Sequence, residues 1–255
     1  MSKRFDLEGK AALVTGASSG LGVHFARTLA SAGAAIALAA RRADRLAALQ
    51  AELENGGTKA VAVTLDVQSG DAVRAAFDAA ETALGALDIV VNNAGISIVK
   101  PALAMPEGDW DAVVDTNLRG AWLVAQAAGQ RWVAAKRPGS IVNIASILGL
   151  RTIGHVAPYN ASKAGLIHLT RALAMEWARY GIRVNAICPG YIETEMNSDF
   201  WKTDGGRRLI ERIPQRRIGK PEELDGALLL LASEAGAFMT GSVITVDGGH
   251  TVSSL

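Results

Sequence analysis

Short apolar segments recur along the chain and alternate with longer segments of helical periodicity. Each short segment is apolar at consecutive positions, which is typical of strands buried on both faces of a parallel sheet. Seven such segments are predicted to be strands: 11–15, 35–39, 61–65, 89–91, 141–144, 182–186 and 243–246. Their alternation with helices predicts a series of βαβ units.

Helical periodicity fills the intervals, and suitable residues mark the helix ends. Pro158 and Pro221 suit first helical turns, and Gly181 suits a helix stop. The predicted helices are 21–32, 44–54, 71–84, 106–136, 158–180 and 221–232. We therefore predict a single-domain α/β fold over residues 1–255. It is doubly wound and Rossmann-type, with a mostly parallel seven-stranded sheet and helices on both faces.

Residues 190–217 interrupt this alternation because they show no clean periodicity. The segment contains Tyr191, Met196, Phe200 and Trp201, whose large apolar side chains argue against simple disorder. We predict that it forms a substrate lid within the domain, over an apolar pocket. A surface helix used for oligomer contacts is the alternative.

Composition argues against nucleic-acid-binding, membrane-bound, disulfide-rich and metal-binding classes of protein. Of the 255 residues 49% are hydrophobic, and the formal net charge of +1 gives no reason to expect nucleic acid or a membrane surface as a partner. Cys188 is the only cysteine, which excludes a disulfide framework, and the four histidines lack metal-ligand spacing. Residues 1–10 lack an apolar signal core. We expect a soluble, cytoplasmic protein without a metal site.

A glycine-rich turn joins the first predicted strand to the first predicted helix. Glycines there permit a tight turn and let the backbone approach a pyrophosphate, which rests at the helix N-terminus. The spacing over 16–22, Gly-xxx-Gly-x-Gly, departs by one residue from the common dinucleotide fingerprint. The expected cofactor-binding residues of this turn are Thr15, Gly16, Ser18, Ser19, Gly20, Leu21 and Gly22.

Tyr159 and Lys163 are four residues apart on a predicted helix, so they lie on the same face. An ammonium group near a phenol favours the phenolate, and Lys163 is therefore expected to lower the pKa of Tyr159 from its free value of ~10. Ser146 follows the fifth predicted strand. Taken alone, the pair also fits a buried tyrosine beside a solvated lysine.

Further motifs occur in order along the chain. Asn92-Asn93-Ala94-Gly95 follows the fourth strand, Asn117 lies in a predicted helix, and Pro189-Gly190 follows the sixth strand. Together with the glycine turn and the tyrosine–lysine pair, they make residues 10–249 resemble the short-chain dehydrogenase/reductase family.

The resemblance implies hydride transfer to or from the nicotinamide ring of a bound dinucleotide. Tyr159 would act as acid/base toward the carbonyl or alcohol oxygen, and Ser146 would hold that oxygen by a hydrogen bond. Lys163 would tune the tyrosine and bind the nicotinamide ribose. Asn117 would hold a water that relays protons. An asparagine in a helix interior often marks a local break in the helix, which suits such a role. The alternative is an exposed asparagine without a role in the site.

The end of the second predicted strand bears on cofactor choice. NAD-dependent relatives usually carry an acidic residue where this chain has Ala40, followed by Arg41 and Arg42. Guanidinium groups bind a 2′-phosphate, so NADP(H) is the preferred cofactor and NAD(H) the alternative. Alternatively, Arg41 and Arg42 only open a solvated helix. Asp66, which the resemblance places at the adenine, could equally be a turn residue. The remaining cofactor contacts implied by the resemblance are Asp66, Val67, Asn93, Ala94, Gly95, Tyr159, Lys163, Pro189, Gly190, Ile192 and Thr194.

Substrate identity is less constrained than the chemistry. The resemblance implies a reductase, and the apolar side chains of 190–201 favour a hydrophobic ketone or 3-oxoacyl compound over a free sugar. The expected substrate-binding residues are Ser146, Leu148, His155, Tyr159, Tyr191, Met196, Phe200 and Trp201. His155 fits a structural or solvent-facing role equally well.

Other functions are also compatible with the predicted fold. An NAD-dependent secondary alcohol or polyol dehydrogenase would differ chiefly at 40–42. A non-catalytic dinucleotide-sensing protein would keep the glycine turn without the active site, and a structural or interaction protein would need neither. The resemblance further implies a homotetramer built through the long helices and the last strand.

Overall fold

A seven-stranded sheet lies at the centre of the computed structural model, which describes residues 3–194 and 199–253. The strands are β1 (Ala11–Thr15), β2 (Ala35–Ala40), β3 (Ala60–Thr64), β4 (Ile89–Asn92), β5 (Gly139–Ile144), β6 (Ile182–Pro189) and β7 (Val243–Val246). Their order is β3-β2-β1-β4-β5-β6-β7, with parallel pairing throughout. The predicted doubly wound parallel sheet is confirmed.

Helices cover both faces of this sheet. Within the described residues they are α1 (Gly20–Ser31), α2 (Ala43–Asn55), α3 (Gly70–Leu84), α4 (Glu107–Val114), α5 (Gly120–Ala134), α6 (Ala157–Trp177), α7 (Asp204–Ile210) and α8 (Asp225–Ala232). Pro158 occupies the first turn of α6, and Gly181, with a φ of 75°, ends the short 3₁₀ turn that follows this helix. No helix among the described residues is long and apolar enough to span a membrane.

Adjacent residues of β1 pack into separate hydrophobic cores on the two faces of the sheet. Val14 packs with Phe25 and Leu228, from α1 and α8, whereas Leu13 packs with Phe77 of α3 on the opposite face. All five side chains are buried. Successive side chains of a strand point to opposite faces, which is why a strand between two helix layers is apolar at every position.

The sheet order places the functional motifs together. The strand order changes direction at β1: β2 and β3 are added on one side of it, and β4 to β7 on the other. This switch point opens a crevice at the carboxyl ends of the strands. The glycine turn follows β1, residues 93–95 follow β4, and Ser146 follows β5. Three motifs far apart in sequence therefore meet at one edge, with the end of β6 beside them.

Two predicted segments differ from the structure. The helix predicted over 106–136 is divided into α4 and α5 by a π-helical turn, Asp115–Arg119. The segment 190–217, predicted to be irregular, contains α7, whose first turn is capped by the Thr203 hydroxyl accepting from the Gly206 N–H at 3.1 Å. Because α7 has seven residues, it is too short to show a clear period in sequence.

Candidate active site

The glycine turn packs too closely for side chains. A Cβ on Gly22 would lie 2.1 Å from the Gly16 carbonyl oxygen, and a Cβ on Gly16 would lie 2.9 Å from the Ala94 Cα. Gly16 and Gly20 also have positive φ values, 69° and 54°, which favour glycine. The turn thus exposes backbone at the N-terminus of α1, which suits a phosphate.

Thr15 joins this turn to the strand beside it. Its hydroxyl donates to the Val91 carbonyl at 3.3 Å and accepts from the N–H groups of Asn93 and Ala94, each at 3.0 Å. The Asn93 amide donates back to the Thr15 carbonyl at 3.0 Å. Both residues, predicted as cofactor contacts, therefore fix the geometry of the turn.

Arg42 reaches over the glycine turn from the start of α2. Its guanidinium donates to the Ser18 hydroxyl at 2.9 and 3.1 Å and to the Ser19 hydroxyl at 2.7 Å. Both serine O–H groups remain donors, so the cluster offers a positive charge and hydroxyl donors to a phosphate. Arg41 is exposed and takes no part in this cluster, whereas Ala40 ends β2 without a carboxylate.

Other predicted cofactor residues border the same crevice. Thr194 lies over the turn, since its methyl carbon is 3.9 Å from where a Gly20 Cβ would be. Gly190 approaches Asp247 so closely that a Cβ would lie 2.7 Å from the Asp247 Cα. Asp66 is exposed and accepts from the Gln68 N–H at 3.0 Å, as a turn residue does. The other predicted contacts are partly or fully buried: Leu21, Val67, Pro189 and Ile192.

Ser146, Tyr159 and Lys163 meet beyond the end of β5. Ser146 and Lys163 are buried, and Tyr159 forms a side-chain hydrogen bond with Ser146. The Lys163 ammonium lies 5.6 Å from the centre of the Tyr159 ring and donates to the Ile144 carbonyl at 2.7 Å. The three predicted catalytic side chains are brought together by two elements, β5 and α6.

Burial dominates the electrostatics of this group. It raises the pKa of Tyr159, and the hydrogen bond with Ser146 opposes that rise. It also lowers the pKa of Lys163 to about 8. The direction for Tyr159 is opposite to the one expected from helical spacing, because the ammonium is directed at the Ile144 carbonyl and burial outweighs its charge.

Asn117 lies in the π-helical turn that interrupts the helix predicted over 106–136. Its Oδ1 accepts from the Ile96 N–H at 2.8 Å, and its Nδ2 donates to the Ile96 carbonyl at 2.9 Å and to the Ser162 hydroxyl at 3.2 Å. The residue is fully buried, which removes the exposed alternative. A Cβ on Gly95 would lie 3.2 Å from Asn117 Oδ1 and 3.5 Å from Lys163 Nζ, so these two predicted catalytic residues flank Gly95.

A cavity of about 790 Å³ adjoins this group. Leu148 and Tyr191, both predicted, line it. Tyr191 packs edge-on against the buried Trp201 with ring centres 5.5 Å apart.

The remaining predicted substrate residues are not assigned to this cavity. His155 is exposed and has a φ of 67°, and it is absent from the residues that line the cavity. Met196 lies outside the described residues, as does the side chain of Phe200.

Sequence reasoning missed several residues around the site. Ser162 bonds both Asn117 and the Tyr159 carbonyl, the latter at 2.9 Å. Arg151, Arg212 and His250 line the cavity. Ser162 lies beside Lys163 in sequence, but no local pattern marks the other three, because they come together only in the folded chain.

The crevice fits a dinucleotide on structural grounds. The tight glycine cradle admits backbone contact with a pyrophosphate, and the Arg42 cluster lies at its outer end. Gly95 leaves room between Asn117 and Lys163 at its inner end. The residues that would hold the cofactor therefore extend from Arg42 to Lys163.

Comparison with known proteins supports this arrangement. A family model described as enoyl-(acyl carrier protein) reductase matches residues 16–251. A gluconate 5-dehydrogenase of Gluconobacter oxydans (strain 621H) is 40% identical over 253 residues, covering 98% of this chain and 97% of its own. A 3β-hydroxysteroid dehydrogenase 1 of Eggerthella lenta is 39% identical over 250 residues, covering 97% and 95%.

The fold also matches a solved structure with a bound dinucleotide. The gluconate 5-dehydrogenase from Burkholderia cenocepacia J2315, in complex with NADP and tartrate, is 40% identical and superposes with a TM-score of 0.94. The match covers 98% of each chain.

Proposed function

The chain belongs to the short-chain dehydrogenase/reductase family, and we propose that it is an NADP(H)-dependent enzyme that interconverts a carbonyl compound and a secondary alcohol. The observation that carries this proposal is the convergence of Asn117, Ser146, Tyr159 and Lys163 beside the glycine cradle. A sensing protein would need the cradle but not the buried lysine and the bonded tyrosine. An interaction protein would need neither.

Tyr159, Ser146 and Lys163 each have a separate role in the proposed proton transfer. A bound nicotinamide supplies or accepts the hydride. In reduction, the Tyr159 hydroxyl donates its proton to the carbonyl oxygen while Ser146 holds that oxygen in reach. Lys163 then supports proton return, since a pKa of about 8 makes its ammonium a ready donor near neutral pH.

Asn117 supports this arrangement by holding the loop after β4. Its amide pairs with both backbone groups of Ile96 and reaches Ser162 on α6. The role proposed from the family resemblance, holding a relay water, is compatible with its place beside Gly95 and Lys163.

NADP(H) is proposed as the preferred cofactor because of Arg42. Its cluster with Ser18 and Ser19 offers a cation and two hydroxyl donors, whereas Ala40 offers no carboxylate for ribose hydroxyls. The NADP in the B. cenocepacia structure supports the same choice. NAD(H) use is the alternative.

Two alternative substrate classes are supported by the cavity and by the relatives. The apolar walls Ile147, Leu148 and Ile213 favour a hydrophobic ketone or 3-oxoacyl compound, and the steroid dehydrogenase relative supports that class. Arginines in the same cavity, together with the gluconate 5-dehydrogenase relatives, favour a hydroxy acid or polyol. Residues 190–217 are proposed to close this cavity over the substrate.

A homotetramer is proposed for the assembly, and a cytoplasmic location stays a prediction. Exposed apolar side chains lie on the adjacent helices α4, α5 and α6, as Trp110, Trp122 and Met175, and near β7, as Phe238 and Val252. Large exposed apolar groups are typical of subunit interfaces.

Tyr159→Phe tests the proposed chemistry. It removes the phenolic proton but keeps the ring, so turnover is expected to fall by about 10²–10⁴ while NADPH affinity is unchanged. Initial rates would be measured on a panel of ketones and secondary alcohols with both cofactors, and NADPH affinity by fluorescence titration. Tyr180→Phe, at an exposed position, is the matched control. Full activity in Tyr159→Phe would overturn the mechanism.

A further inference from the structure

The cavity beside Tyr191 contains more positive charge than a hydrophobic ketone needs. Arg151, Arg212 and Arg216 line it, against the single carboxylate of Glu211 among the described residues. Burial lowers the pKa of His250, which also lines the cavity, so this imidazole is predominantly neutral at pH 7. The described lining is therefore cationic overall.

The three arginines differ in what they bind. Arg151 donates to the carbonyls of His250, Thr251 and Ser253 at 3.1, 3.2 and 3.4 Å, so it holds the C-terminal segment in place. The Arg216 guanidinium donates to the Glu211 carbonyl.

Arg212 differs from both of these. Its guanidinium makes no hydrogen bond or ion pair with residues 3–194 or 199–253. Its charge nonetheless acts on both Tyr191 and His250, because it shifts the pKa of each. Arg212 is exposed and lines the cavity, so its guanidinium donors are available to a bound group.

This cavity lies next to the candidate reaction centre. Ile147 and Leu148, which line it, directly follow Ser146, and the Leu148 N–H donates to the Ser146 hydroxyl at 3.1 Å. Tyr191 lies close enough to Tyr159 to affect its pKa, and Arg212 lies close enough to Tyr191 to affect the pKa of that phenol. A substrate whose reacting oxygen contacts Ser146 and Tyr159 can therefore extend past Tyr191 to Arg212.

We propose that Arg212 is a specificity-determining residue that binds an anionic group, a carboxylate or a phosphate, at the end of the substrate remote from its reacting carbon. This deepens the proposed function and rests on it. A guanidinium forms paired, charge-assisted hydrogen bonds with such groups, and no described residue occupies the donors of Arg212. The apolar walls contact the substrate carbon chain between the two ends.

Matched substrates and Arg212→Gln test this inference. D-gluconate, which carries a carboxylate, is compared with neutral D-glucitol, and acetoacetyl-coenzyme A, which carries phosphates, with neutral ethyl acetoacetate. Arg212→Gln is expected to raise KM for the anionic member of a pair by tenfold or more and to leave kcat and the neutral member unchanged. The pair that responds identifies carboxylate or phosphate as the bound group.

Arg208→Gln is the control, because Arg208, like Arg212, is an exposed arginine of the same segment but does not line the cavity. It removes the same charge and should leave every KM unchanged. Equal effects of Arg212→Gln on charged and neutral members, or no effect on any, would overturn the inference while leaving the proposed function intact.

A binding measurement separates the inference from the reaction. D-gluconate and acetoacetyl-coenzyme A are titrated calorimetrically into the NADP-saturated enzyme. Binding that is lost in Arg212→Gln and kept in Arg208→Gln supports the subsite even if no substrate turns over, which would count against the proposed function alone. Absence of binding of both anions to the wild-type enzyme would overturn the inference.

Discussion

Lys163 carries an ammonium group that the fold removes from water. The side chain is buried, with the Ile144 carbonyl as its hydrogen-bond acceptor, and this burial lowers its pKa from 10.5 to about 8. Holding the charged form there is unfavourable, so the residue destabilises the folded state at neutral pH. We interpret this as a stability cost retained for catalysis.

The stability cost predicts a pH dependence. Between about pH 8 and 10.5 the unfolded chain binds more protons at Lys163 than the folded chain does, so stability rises with pH in this window. The free energy of unfolding of the wild type, relative to Lys163→Met, should therefore increase by about 2 kcal/mol from pH 7 to 9.5. Urea unfolding at several pH values measures the difference, and a constant difference would contradict the prediction.

Arg42 is proposed to select NADPH over NADH. Arg42→Ala removes the charge from the serine cluster, so kcat/KM for NADPH should fall about 10- to 100-fold while that for NADH changes little. Arg45→Ala, an exposed charge deletion on the same helix, is the control. Equal losses with the two cofactors would show that Arg42 does not select the phosphate.

The glycine turn is the element whose geometry is least tolerant of change. In Gly22→Ala the new methyl would lie 2.1 Å from a backbone oxygen, so the turn must move. We expect a loss of about 2 kcal/mol or more in stability, and NADPH affinity reduced at least tenfold. Urea unfolding and fluorescence titration measure the two effects.

Gly226→Ala provides the comparison for that variant. Gly226 is an exposed position of α8, and a Cβ there meets no atom within 4 Å. The substitution should stabilise the protein by about 0.5–1 kcal/mol and leave NADPH binding unchanged. If Gly22→Ala behaves in the same way, the close approach is not what the turn requires.

The break between α4 and α5 shows how one side chain alters an element. Asn117 is directed at Ile96 rather than along a regular helix, and the π-helical turn accommodates it. The sequence predicted one continuous helix over 106–136, although asparagine is an unfavourable residue in a helix interior. The partner of Asn117 was not predictable, since Ile96 lies on a loop after a different strand.

At the scale of the whole molecule, exposed apolar groups imply assembly. The wild-type protein should have a solution mass of about four times its 26.6 kDa chain, as measured by light scattering after size-exclusion chromatography. Trp122→Glu places a charge on the exposed face of α5 and should reduce that mass to that of smaller species. Thr82→Glu, at an exposed position of α3, should not. A monomeric wild type would contradict the proposed tetramer.

The sequence by itself determined the sheet, most of the helices that cover it and the positions of the candidate catalytic motifs. These follow from local rules: strands between two helix layers are apolar at consecutive positions, and phosphate-binding turns require glycine. Parallel connectivity then brings the carboxyl ends of β1, β4 and β5 to one edge. Tyr159, Lys163 and Ser146 could therefore be assigned to one site from their positions in the sequence.

Only the tertiary structure decided the charges and the surroundings of that site. Burial reversed the expected shift in the pKa of Tyr159, because desolvation depends on every element packed around the group. Arg151 meets the His250 carbonyl across 99 positions of sequence, and Arg212 faces the same cavity. Such contacts have no period or motif, since they arise only where distant parts of the chain are brought together.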